Sequence, residues 1–228
     1  MLVLVGSGEY LPGMESVDRA LLDRLGEPPR VVCLPTAAGT EGTDRIKYWD
    51  RLGVEHFSRL GVPVQTVRVL KRADAENPAL AEDVAQANFV YLSGGRPDHL
   101  FKTLTDTPVW AAIKGVLDRG GILAGCSAGA MVQGEKMFAF PGWQPAFGLI
   151  SGTAIIPHFD ELPGPMRSTM RFFTDSSLTV LGVDGYTAMV VDGPDQVEVL
   201  GRGTVTVWNK GGKTAYPQGS VPDWRAKP

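Results

Sequence analysis

Apolar residues along this chain alternate between two patterns. Predominantly apolar segments occupy residues 2–6, 30–35, 64–70, 88–92 and 122–124, unbroken over 31–35, 89–92 and 122–124. Runs of that kind read as strands covered on both faces, because neither side of the pleat is left polar for solvent. Between them, apolar positions recur at helical spacing. Val17, Leu21 and Leu25 share one face over residues 14–25, which stop at Gly26. Ile46, Trp49, Phe57 and Leu60 form a stripe in a segment that Thr43 or Asp44 can cap. Pro78 opens a helix through residue 87, residues 98–104 are helical in pattern, and Thr107-Pro108 leads into a helix over 109–119 closed by Gly120-Gly121. This strand–helix alternation up to about residue 135 predicts an α/β fold, a mostly parallel sheet with helices on both faces.

The last third changes character. Residues 137–145 are an aromatic, proline-containing excursion, residues 152–157 a short strand reaching His158, and residues 165–175 a helix. Short strands follow over 188–192, 196–200 and 204–208, and the turn Gly201-Arg202-Gly203 predicts a small C-terminal β-hairpin from the last two. Residues 219–228 read as a loose tail. With no repeat and no linker, the whole of 1–228 is expected to be one domain.

In parallel sheets, ligands gather beyond the carboxyl ends of the strands. Glycine-rich loops fall there at residues 6–8, 36–42, 93–95 and 125–129. The last lies within GILAGCSAGAM, an apolar strand, a tight turn and a helix start, which is the geometry of a nucleophile elbow. Gly125 and Gly129 let strand and helix approach, Ser127 stands exposed at the turn, and the Ala128 N–H is free to receive an oxyanion. Gly94-Gly95 either supplies a second N–H donor or only makes its turn.

An attacking serine needs a base. His158 ends an apolar strand and so reaches the same rim; His99, two residues after Pro97, is the rival; His56 sits on an amphipathic helix and is expected at the surface. In α/β-hydrolases the histidine comes last, after the acid. Here the last histidine comes early, so the order Ser, His, acid is the more natural one.

Composition narrows the chemistry. A net charge of −3 without a Lys/Arg cluster points away from nucleic acid. Two cysteines, Cys33 and Cys126, are too few for a disulfide framework and read as reduced thiols of a cytoplasmic protein. The histidines and cysteines show no metal-ligand spacing, and no cofactor is expected. The segment MLVLVGSGEYLPG lacks a basic start and breaks at Gly6, so it reads as a first strand and not a signal peptide. No run approaches the roughly 18 apolar residues of a membrane span.

Several segments together resemble one family, the cyanophycinase and aspartyl dipeptidase (dipeptidase E) group of serine peptidases. They are YLSGGRPDHLFKTL, GILAGCSAGAM, FGLISGTAIIPHFD, and GVDGYTAMVVDG with VEVLGRGTVTV. The resemblance implies a three-layer α/β/α sandwich like class I glutamine amidotransferases, flavodoxin-like in its parallel sheet. It implies Ser127 as nucleophile, His158 as base, and the Gly95 and Ala128 N–H groups as oxyanion donors. It also implies cleavage of small peptides or isopeptides next to an aspartyl residue, including β-linked Asp–Arg units. An aspartyl carboxylate asks for an arginine, best met bidentately, and Arg96, Arg167 and Arg171 are the candidates. Asp98, Asp160 and Glu161 are the candidates for a cationic group instead.

One departure stands out. The family's third catalytic member, a glutamate after the histidine, aligns with Gly185, which has no side chain. Asp184 beside it is the first substitute, and Asp160, two residues beyond His158, is the other. The expectation is therefore a serine-type peptidase, a monomer or homodimer, with a small peptide as its partner and neither nucleic acid nor membrane. The alternative is a catalytically impaired binding or sensing protein on the same fold, as Gly185 would favour. A glutamine amidotransferase would need a cysteine nucleophile, and Cys126 stands one residue before the elbow serine.

Overall fold

Buried strands dictate the centre of the molecule, whose computed structural model describes residues 1–140, 142–165, 177–193 and 196–225. The first five strands are β1 (Leu2–Val5), β2 (Val31–Leu34), β3 (Val64–Thr66), β4 (Phe89–Leu92) and β5 (Ile122–Cys126). They pair in parallel in the order β1-β5-β4-β2-β3, with Leu2 opposite Leu123 and Phe89 opposite Ile122. Every residue of β2, β4 and β5 is buried, which is why their sequences are unbroken apolar runs.

Alternate side chains of these strands point to opposite faces and build two cores. Val3, Cys33, Phe89, Tyr91 and Ala124 pack with Tyr10, Leu21, Trp49 and Phe57 from the side of α1 (Glu15–Leu22) and α2 (Thr43–Arg59). Leu34, Val90, Leu92 and Leu123 face Val84, Leu100 and Ile113 from α4 (Pro78–Ala85), α5 (Pro97–Leu104) and α6 (Pro108–Asp118), which follow the one-turn α3 (Arg72–Ala75). Burying an aromatic such as Phe57 or an aliphatic such as Ile113 contributes about 1.5–3 kcal/mol each. Thr107 caps α6 by accepting from the Trp110 N–H at 3.2 Å. Gly42, not Thr43 or Asp44, holds the N-cap position of α2. A final short helix, α7 (Ala128–Met131), leaves the end of β5.

The C-terminal part builds more sheet than the sequence suggested. Its strands are β6 (Gly134–Ala139), β7 (Gly142–Pro145), β8 (Ile150–Ile156), β9 (Thr179–Val183), β10 (Thr187–Val191), β11 (Val197–Gly201), β12 (Thr204–Asn209) and β13 (Gly212–Pro217). β10 pairs antiparallel with β1, and β11 with β10, extending the central sheet to seven strands. The others form a second, six-stranded sheet in the order β13-β12-β9-β8-β6-β7. The aromatic excursion is the hairpin β6–β7, with Phe138 paired across to Trp143.

The hairpin expected across Gly201–Gly203 does not form: β11 belongs to the first sheet and β12 to the second. The turn is tied to another strand instead, Arg202 N–H donating to the Tyr186 carbonyl at 3.0 Å and Gly203 N–H to Thr187 Oγ1 at 2.8 Å. The C-terminal hairpin is β12–β13, closed between Asn209 and Gly212. The tail is not loose where it begins, because Gly219 and Ser220 exchange hydrogen bonds with Val199 at 2.9 and 3.1 Å. Trp224 packs against the core between the sheets. The helix expected over 165–175 falls, beyond Pro165, outside the described residues. Among the described residues no helix is long and apolar enough to cross a membrane.

Candidate active site

Because β1, β5 and β4 are neighbours, the loops at their carboxyl ends meet on one rim. Ser127 leaves β5 with φ 52° and ψ −110°, a left-handed conformation that a non-glycine residue adopts at a cost. The turn is over-determined. Ser127 N–H donates to the Val5 carbonyl at 3.0 Å, and the Ser127 carbonyl accepts from Ala130 and Met131 at 3.0 Å. Gln133 Nε2 donates to the carbonyls of Val3 and Gly129 at 3.2 Å, bracing α7 against β1. A Cβ on Gly125 would fall 2.1 Å from the Gly129 carbonyl oxygen, so only glycine lets strand and helix approach this closely.

The β4 loop lies against the serine. A Cβ on Gly94 would come within 3.4 Å of Ser127 Cβ. Gly95 follows with φ 142°, and Arg96 N–H donates to the Ala37 carbonyl at 2.9 Å, fastening the loop to the end of β2.

His158 arrives from the end of β8 with φ 51°. Its Nε2 lies 3.2 Å from Ser127 Oγ, and its Nδ1 lies 3.1 Å from Glu161 Oε2. A turn brings Glu161 back: its own N–H donates to the His158 carbonyl at 3.0 Å. The second carboxylate oxygen, Oε1, accepts from Ser7 Oγ at 3.2 Å. His158 and Glu161 keep 40% and 57% of their side-chain surface exposed, so water reaches the pair.

The carboxylate beside His158 is thus neither Asp184 nor Asp160. Asp184 turns away from the histidine, its Oδ2 accepting from Thr204 N–H at 2.9 Å and Thr204 Oγ1 at 2.7 Å, which straps β12 to the end of β9. Asp160 accepts from the Gly185 N–H at 2.7 Å. Glu161 lies next to the bare position, since a Cβ on Gly185 would come 3.4 Å from its Oε1 and 2.9 Å from Ser7 Oγ. The signal in the sequence was the spacing His158 to Glu161, one turn apart, with Ser7 ahead in the β1 loop.

The other candidates separate. His99 Nε2 bonds the Leu70 carbonyl at 2.8 Å, so that ring is committed elsewhere. His56 is fully buried, not at the surface, because Asp18 of α1 meets its Nε2 at 2.7 Å. Cys33 and Cys126 are free, buried thiols. Burial pushes the Cys33 thiol up to about 12. Burial, and then the Glu9 carboxylate, push the Cys126 thiol well up. Cys126 Sγ donates to Glu9 Oε2 at 2.8 Å, so it is a protonated buried group, while the hydroxyl at the elbow faces the histidine. Arg96 is exposed and pairs with Asp98 at 3.1 Å. Arg167 and Arg171 lie outside the described residues. Among the described residues no group of three or more His, Cys, Asp and Glu is placed to hold a metal ion.

The chain resembles known proteins along most of its length. A cyanophycinase of Trichormus variabilis is 26% identical over 220 residues, covering 89% of this chain and 71% of its own. A cyanophycinase of Synechococcus elongatus is 30% identical over 166 residues, 67% of this chain and 52% of its own. The crystal structure of a peptidase from an acI-B1 Actinobacterium superposes with a TM-score of 0.88 at 35% identity, covering 97% of this chain and 95% of that one. A candidate peptidase E protein from Listeria monocytogenes EGD-e, with a TM-score of 0.64 at 18% identity over 88% of this chain and 97% of its own, shares the fold. The model of peptidase family S51 matches residues 2–199, and with that span the chain belongs to peptidase family S51.

Proposed function

We propose that this peptidase is of the serine type, with Ser127 as nucleophile, His158 as general base and acid, and Glu161 as the residue that orients the imidazole. The observation that carries the reading is the unbroken series Ser127 Oγ, His158, Glu161, Ser7, each link at 3.1–3.2 Å. Ser127 Oγ attacks the carbonyl carbon of a bound peptide and passes its proton to His158 Nε2. The oxyanion forms against the N–H groups of Gly95 and Ala128, which fixed backbone geometry holds ready. As the C–N bond breaks, His158 returns the proton to the leaving amine. Water then attacks the acyl-enzyme by the same route, releasing the acid and restoring Ser127. Glu161, holding Nδ1, keeps the tautomer that leaves Nε2 free to accept.

The substrate class is a small peptide or isopeptide with an aspartyl group beside the scissile bond. The likeness to cyanophycinases supports this class. Arg96, exposed at the start of α5, is the described arginine placed near the β4 loop to meet a carboxylate. The proposed setting is cytoplasmic, as a monomer or homodimer. The competing reading, an inactive binding protein, rested on Gly185; Glu161 supplies the missing carboxylate from a different position.

Intact-mass spectrometry after treatment with a small fluorophosphonate tests the reading. One adduct per chain is expected on wild type and none on Ser127→Ala. A folded wild type that takes no adduct would overturn it in favour of the binding protein. With an adduct, Asp-X and β-Asp-Arg dipeptides are the substrates to hydrolyse first.

A further inference from the structure

The loop after β1 carries a buried carboxylate that this reaction does not use. Glu9 is 7% exposed. Its Oε1 accepts from the Gly94 N–H at 3.0 Å, and its Oε2 accepts from Cys126 Sγ at 2.8 Å. The two donors flank the reacting centre from different strands: Gly94 precedes the oxyanion donor Gly95, and Cys126 precedes Ser127. Gly94 is enclosed between carboxylate and serine, since a Cβ there would meet Glu9 Oε1 at 2.9 Å and Ser127 Cβ at 3.4 Å.

A buried carboxylate is costly unless it is bonded, and an apolar side chain could fill the same volume without that cost. The position therefore uses the two acceptors. They lie on one planar group, so they hold the two donors at a set separation. The need is local, because consecutive glycines have the broadest backbone freedom, and the bond from Arg96 N–H to the Ala37 carbonyl fastens the loop only on the far side of Gly95. An oxyanion donor acts only if it already points at the oxygen when charge develops. We infer that Glu9 is a positioning residue that, by accepting from the Gly94 N–H, holds Gly94 and through it the Gly95 N–H in register with Ser127. The inference rests on the serine reading above.

The test is saturation kinetics of fluorophosphonate labelling, separated into kinact and KI, with the melting temperature of each variant measured alongside. Glu9→Ala is expected to lower kinact by about 10²-fold, the scale of one lost oxyanion donor, with KI within about twofold. Glu9→Gln keeps an oxygen for the Gly94 N–H and stays within about tenfold of wild type. Cys126→Ala removes the thiol but leaves the Gly94 bond, and stays within about threefold. Should Glu9→Ala fail to fold, Glu9→Asp decides: it keeps the carboxyl group, but its shorter side chain cannot span both donors, and the same loss in kinact is expected. A Glu9 variant that melts lower yet labels at the wild-type rate would overturn the inference, since only a structural role would remain. So would a Cys126→Ala loss as large as that of Glu9→Ala, which would place the effect in the elbow strand. Label on wild type with an unchanged Glu9→Ala removes this inference alone, whereas no label on wild type removes the serine reading.

Discussion

The molecule contains two histidine–carboxylate pairs of similar make-up and opposite setting. At the rim, His158 divides its ring, Nδ1 toward Glu161 at 3.1 Å and Nε2 toward the Ser127 hydroxyl at 3.2 Å. In the core, His56 gives its Nε2 to Asp18 at 2.7 Å, and no described group bonds its Nδ1. The rim pair is half open to water, whereas the core pair is fully buried, with Phe57 and Tyr10 packed around the imidazole at ring separations of 4.9 and 6.1 Å. A carboxylate beside a histidine is therefore not in itself a catalytic arrangement. The free nitrogen must face a nucleophile, and the proton must have somewhere to go. His56 has neither, so its pair can act only on stability.

Exchanging the same lesion between the pairs gives the largest expected effects. His158→Asn should lower fluorophosphonate labelling and turnover by about 10⁴-fold, as loss of a base does in serine enzymes. Its melting temperature should stay within about 2 °C of wild type, because an exposed ring supports little packing. His56→Asn should do the reverse. Breaking a buried pair costs about 3–5 kcal/mol, or roughly 10 °C in melting temperature for a chain of this size. Labelling per folded molecule should remain within about threefold, since distant sites act independently. Loss of labelling in His56→Asn at a temperature where the variant is folded would refute the separation.

The same contrast explains what could be read from the chain. The parallel strands were legible because β2, β4 and β5 are buried on both faces and carry no polar position. The elbow was legible because close approach leaves no room for a Cβ at Gly125, and His158 because an apolar strand points it at the rim. His56 was not, because its burial depends on Asp18 from another helix, 38 residues away. The two-sheet split was hidden because Gly201-Arg202-Gly203 has hairpin chemistry locally, while its bonds go to Tyr186 and Thr187. Glu161 was read as a residue for cationic substrates because its contact with His158 needs both the turn at His158 and the space beside Gly185.

The acids sharpen the comparison next. Glu161→Gln should cut turnover by about 10²–10⁴-fold, because an amide no longer selects the tautomer that leaves Nε2 free. Asp184→Ala should leave turnover per folded molecule within about threefold, being outside the hydrogen-bonded series. It should instead cost about 1–3 kcal/mol, since Thr204 loses the acceptor for its N–H and hydroxyl. Turnover from denaturant-calibrated samples of both variants checks this. A larger rate loss in Asp184→Ala than in Glu161→Gln would return the acid to the position beside Gly185.

The smallest effect probes the core pair through pH. Burial raises the Asp18 carboxyl above its ordinary range, while the hydrogen bond and charge of His56 pull it back less strongly. The folded chain therefore holds this proton more tightly than the unfolded chain does. Such a group stabilises the fold fully below its unfolded pKa, about 3.9 for an aspartate, and loses that contribution as pH rises through the folded value. Asn resembles the protonated carboxyl and undergoes no such loss. The stability of Asp18→Asn relative to wild type should therefore shift in favour of the variant as pH rises out of the acid range, and then level off. Urea unfolding of both proteins across that range measures the difference. A shift toward wild type would mean that His56 stabilises the Asp18 charge by more than burial penalises it, making the core pair an ion pair whose loss costs more as pH rises. At each pH, labelling of Ser127 in Asp18→Asn relative to wild type should follow the folded fractions alone, because no bond of the core pair reaches the rim.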